Sequence, residues 1–240
     1  VDRQGFMVNP TSCEPSKVAS RVISTEGAGV DLADRFQAAG CGALGFTPKV
    51  TPKLLGGRKA LNRRRHPRLR VTVTEPVGQA NLAKVSVAMP HSILLDQGHI
   101  RTVCTRVQFS AQACPKASIY GSAKVTTPLL DQPLEGPVYL RSSSHKLPDL
   151  VVDLKGQIGI VLAGRIASSH GGIRTVFNAI PDAPISTFTL TMKGGKKGLL
   201  VNSVNLCQAQ AKAVIQATGQ NGAEHDTKPA LATACGKKKK

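Results

Sequence analysis

Between residues 68 and 219 this sequence falls into nine short runs in which apolar and polar residues alternate, each closed by turn residues. Alternation with period two puts one set of side chains on each face of a strand, whereas a helix needs a period of 3.6. The clearest runs are Leu69-Val71-Val73 and Leu82, Val85, Val87, Met89. Further strands are expected at 117–127, 136–142, 149–154, 157–167, 172–180, 184–193 and 210–219. Pro76/Gly78, Asp131/Pro133/Gly136, Lys155-Gly156, Gly171-Gly172, Pro181 to Pro184 and Gly194-Gly195 punctuate them. This predicts an all-β fold, an antiparallel β-sandwich of immunoglobulin-like or jelly-roll-like type over 68–235. Two short helical exceptions are expected: Ser92–Gly98, with a Ser cap and a closing Gly, and Thr105–Ala113, opened by a capping Thr.

Upstream, residues 1–57 read as a small β unit. The runs 17–24 and 30–38 flank Glu26-Gly27-Ala28-Gly29, a hairpin turn. A third run, 46–55, carries Pro48 and Pro52 and suits an edge strand or an extended connector. Residues 58–67 read as a basic linker between the two units, and 236–240 as a basic tail.

Six cysteines, an even number with no CxxC pair, favour disulfides and an oxidising compartment. Their order suggests nearest-neighbour pairing: Cys13–Cys41, Cys104–Cys114 and Cys207–Cys235. A small unit with little core would gain about 2–4 kcal/mol from such a staple. Secretion or cell-surface display follows, and no apolar run approaches the ~18 residues that span a membrane. The opening at Val1, without Met or an apolar leader, suggests a mature or trimmed product.

The net charge of +18 is concentrated. Residues 58–70 hold seven cations and Lys237 to Lys240 four more, which leaves +7 on the rest. Arg63, Arg64, Arg65 and Arg68, joined by Lys196 and Lys197 of a GGKKG turn, are candidate contacts for a polyanion such as an acidic glycan, teichoic acid or DNA. Eight aromatic rings in the chain are too few for a base-stacking platform, so any nucleic-acid binding would be non-specific. The GGKKG run lacks P-loop spacing and reads as a basic turn.

Catalytic and metal signals are sparse. The six histidines are scattered and none pairs at i, i+2 or i, i+4, so no metal site is expected from adjacent ligands. Ser142 to Ser144, His145 and Asp149 share one segment, but a triad needs separate supports, and no GxSxG elbow exists. A cryptic hydrolase site at His145 and Asp149, or a metal site adding Asp153, is the alternative to a polar loop. No cofactor is expected.

The runs His99 to Phe109, Ala113-Cys114-Pro115, 128–150, GGKKGLLVNS with Asn205-Leu206-Cys207, and GQNG at 219–222 form a pattern, with NPTSC at 9–13 and Gly40-Cys41 upstream. It resembles that of large secreted β-rich proteins of soil actinobacteria, for which no activity is established. The resemblance implies export and a chain that begins before Val1. It brings no ligand or catalytic residue. The expectation is a non-catalytic structural or adhesive protein, a homo-oligomer or polymer assembling at the cell surface through exposed strand edges.

Overall fold

The computed structural model describes residues 8–169, 172–209, 211–233 and 235. The basic tail, His170, Gly171 and the first residue of the 210–219 run lie outside them. The first two strands, β1 (Ser16–Ile23) and β2 (Gly29–Phe36), form a hairpin of their own. Then follow β3 (Lys49–Leu55), β4 (Arg68–Thr74), β5 (Leu82–Ala88), β6 (Ile93–Leu95), β7 (Ile119–Thr126) and β8 (Leu134–Arg141). After these come β9 (Asp149–Leu154), β10 (Ile160–Ser169), β11 (Gly172–Phe177) and β12 (Thr187–Met192). The described residues end with β13 (Leu200–Asn202), β14 (Val214–Gly219), β15 (Glu224–Thr227) and β16 (Ala232–Thr233).

Twelve of these strands make one sheet, in the order β15-β14-β5-β11-β10-β9-β8-β7-β12-β4-β3-β16. Every pairing in it is antiparallel except the two-residue contact of β16 with β3. The β-rich class holds, but the two facing sheets of a sandwich are replaced by a single sheet curled into a half-barrel. Alternation produces the curl's apolar inside: Leu69, Val71 and Val73 of β4 are buried while Arg68 and Arg70 face water. Gly136 permits the close approach of β8 to β9, since a Cβ there would overlap the Asp153 carbonyl.

Strand pairing runs across the expected division at 57/58. β3 pairs along its whole length with β4, and Leu54 and Leu61 are fully buried. The stretch expected as a linker starts as one helical turn, α1 (Gly57–Leu61), whose Leu61 completes the core. Among the described residues two strand pairs stand outside the large sheet, the β1–β2 hairpin and β6 with β13.

Of the two expected helices, Thr105 caps α2 (Arg106–Ser110) with a reciprocal Thr105–Gln108 capping box. The other is overturned. Ser92–Gly98 instead holds β6, paired with β13, and the start of a 3₁₀ turn, Gln97–His99. All three disulfides join the expected partners. No helix among the described residues is long and apolar enough to cross a membrane.

Candidate functional site: an apolar trough with a basic rim

The concave face of the half-barrel is lined by side chains from β3, β4, β5, β7 and β9 to β12. Val71, Val73, Leu162, Phe177, Phe188 and Leu190 are among them, and Thr175 supplies the one polar side chain. They leave a trough of about 170 Å³, open on one side. That is close to the engineered cavity of about 150 Å³ that stays dry and takes up benzene.

Register gives the trough a direction. Leu69 lies opposite Met192, and four residues further along β4, Val73 lies opposite Phe188. At about 3.3 Å per residue these ends are roughly 13 Å apart.

The Val73 end carries a half-buried acid. Burial pushes the Glu75 carboxyl up to about 7, helped slightly by Asp182 and opposed by hydrogen bonds from the Leu82 and Ile185 amides. The neighbouring Asp182 fastens the N-terminal segment to the sheet. It accepts from the Thr11 amide and hydroxyl, the Ser12 amide and the Asn81 side chain, all at 2.7–2.8 Å.

The Leu69 end is basic. Gly195 donates to the His66 carbonyl at 3.0 Å, and Asn202 and residues 64–65 exchange two backbone hydrogen bonds. A Cβ on Gly198 would strike His66, so glycine lets the GGKKG turn lie against it. Arg63, Arg64, Arg65, Arg68, Lys196 and Lys197, more than a hundred residues apart in sequence, are thereby gathered around one stretch of chain, all exposed. Beside them Leu95, Leu199 and Leu200 wall the trough, and the Asp96 amide donates to the Leu199 carbonyl.

His66, Asp96 and His99 meet at this rim, brought together from positions that are not adjacent in sequence. His66 Nε2 lies 2.7 Å from Asp96 Oδ2, and His99 Nε2 lies 3.8 Å from the same oxygen. The two imidazoles stack with centroids 4.1 Å apart. The hydrogen bond from His66, then the nearby His99, hold the Asp96 carboxyl below its ordinary range against partial burial. The only sequence signal was Asp96-x-x-His99; His66 reaches the site because β4 begins beside the GGKKG turn.

The His145 segment is more ordered than a loose polar loop. Ser143 Oγ lies 3.1 Å from His145 Nδ1, and His145 Nε2 lies 3.0 Å from Asp149 Oδ1. The Ser143 hydroxyl, however, donates to the Leu147 carbonyl at 2.6 Å, and Asp149 also meets Arg141 at 3.5 Å. The serine hydroxyl closes a turn, and the carboxylate is shared with a guanidinium. Asp153 instead pairs with Lys155 at 3.3 Å, four residues further along the same face of β9.

The class these features define is a disulfide-stapled half-barrel with an open apolar trough and a cationic rim. Compared with known protein families, with curated proteins and with solved structures, the chain matches none.

Proposed function

We propose that this chain is a non-catalytic extracellular binding module whose half-barrel seats one apolar chain, with an anionic head at the rim of Arg63, Arg64, Arg65, Arg68, Lys196 and Lys197. The observation that carries this reading is the concave face itself, a trough of about 170 Å³ lined by some two dozen apolar side chains. Sites for small ligands are mostly concave and apolar with a few polar groups at their edge. Burying ten methylenes at about 0.8 kcal/mol each recovers about 8 kcal/mol before association costs. Association costs of at least about 4 kcal/mol leave about 4 kcal/mol at most, a dissociation constant near a millimolar for the apolar chain before the cationic rim adds its part. Three disulfides favour an oxidising compartment and support the extracellular placement.

The test is displacement of a fluorescent fatty acid from the intact chain. Leu162→Asp, at a half-buried lining position, should weaken binding at least tenfold, and removing charge at Arg63, Arg64 and Arg65 should weaken it less and in a salt-dependent way. A chain that folds normally and binds no fatty acid, or a Leu162→Asp chain that binds as well as the parent, refutes the reading.

A second reading, assembly between copies, has its own observation in the β1–β2 arm. Register puts Ser16, Val18, Ser20, Val22, Val30, Leu32, Asp34 and Phe36 on one face, and its five apolar residues are exposed. Residues 14–37 carry three cations and four anions on a chain of net +18. A slightly acidic, apolar arm complements the basic body of another copy. Val22→Asp with Val30→Asp should abolish concentration-dependent association in sedimentation velocity; association unchanged by the pair removes this reading.

A further inference from the structure

We propose that His66, Asp96 and His99 form a binding site for one late first-row divalent cation, with zinc the best fit. The donor set, two imidazoles and one carboxylate, is one that zinc takes with water filling the remaining position. The three donor atoms lie within 4.8 Å of one another. A tetrahedral ion with bonds of about 2.0–2.1 Å spaces its ligand atoms about 3.4 Å apart. The two approaches to Asp96 Oδ2, 2.7 and 3.8 Å, bracket that value, and the stacked imidazoles must turn out of their near-parallel arrangement to aim both Nε2 lone pairs at one ion.

The surroundings prepare the ligands. His99 Nδ1 lies 2.8 Å from the Gly198 carbonyl, which only accepts, so this nitrogen carries the proton and Nε2 presents its lone pair to the cluster. A ligating histidine is ordinarily held by such a contact. Asp96 Oδ1 accepts from the Gly98 amide at 3.0 Å, which leaves Oδ2 turned toward both rings. His66 gives its Nε2 proton to Asp96 in the metal-free state. When zinc takes the place of that proton the ring carries its proton on Nδ1 instead and stays neutral, and binding weakens on acidification because protons compete with the metal for both Nε2 atoms. Lys196, Lys197 and Arg65 stand on adjoining stretches and oppose a dication, the single carboxylate offsetting them in part. Micromolar rather than nanomolar affinity follows.

This site is independent of the apolar-chain reading, because zinc is measured without amphiphile and fatty acid is measured in chelator. The tag-free chain is stripped with chelator and titrated with Zn²⁺ by calorimetry and native mass spectrometry, and with Co²⁺ by visible absorbance. The expected result is one zinc per chain and the bands of a low-symmetry nitrogen–oxygen cobalt site. His66→Gln, His99→Gln and Asp96→Asn should each weaken zinc at least tenfold, with His225→Gln unchanged. Thermal melts without metal confirm that each variant is folded, and the two glutamine variants stand for the site if the Asp96 change unfolds it. Absence of binding at tens of micromolar Zn²⁺, or binding undiminished in folded variants, overturns the proposal and leaves a hydrogen-bonded His–Asp–His cluster.

Discussion

Glu75 is an acid that folding makes weaker. Its carboxyl moves from an ordinary value near 4.5 up to about 7 because burial penalises the charged form. The folded state therefore holds this proton when the unfolded state has lost it. Stability contributed by Glu75 is full below about 4.5 and declines as pH rises through 7. Glu75→Gln keeps an acceptor for the backbone amides and removes the titration. Its melting temperature should match the parent near pH 4.5 and exceed it at pH 8 by about 2–4 °C, the shift that about 1 kcal/mol gives in a chain of this size. Melts at both pH values check this, and equal melting at pH 8 contradicts it. Asp96 runs the other way: its lowered carboxyl stabilises above the ordinary acid range, and the gain is lost as pH falls through the folded value. The cysteines were the most legible residues, because small loops leave few sensible partners. Glu75 and Asp182 were not, since nothing in Thr-Glu-Pro or Pro-Asp-Ala tells that two segments a hundred residues apart will shut out water around them.

Among the elements, strands were readable and their partners were not. β4 and β12 announce themselves by alternation, and their apolar residues do line the trough. SILLDQG failed as a helix because its short apolar run pairs with β13, and such a non-local pairing leaves no local trace. The arm is the converse case: its hairpin turn was plain, but only the register tells that its apolar face has no sheet beneath it. An isolated hairpin is marginal in water, so its base must be held. Cys13–Cys41 and the Asp182 contacts to Thr11 and Ser12 hold it. Asp182→Ala strips four hydrogen bonds from a charged acceptor and should cost about 2–4 kcal/mol. Chemical denaturation measures the loss, and faster amide exchange at residues 11–13 than in β9 should accompany it. A loss under 0.5 kcal/mol contradicts the anchoring role.

For the whole molecule, the sandwich expected from the strand count and the half-barrel found share composition and period and differ in what the inner faces meet. A sandwich buries each inner face against another sheet, whereas this single curled sheet turns its apolar side onto itself and leaves a trough. The basic rim was legible only as two separate runs, at 63–68 and 196–197, and became one surface through the contact of His66 with the GGKKG turn. The central claim is that the trough holds an apolar chain, and isotope-edited NMR reads it directly. With carbon-13-labelled palmitate, nuclear Overhauser contacts are predicted from the chain methylenes to methyls of Val71, Leu162 and Leu190, with the carboxylate end near Leu199 and Leu200. Contacts confined to the β1–β2 arm, or none to the concave face at saturating palmitate, would contradict the account.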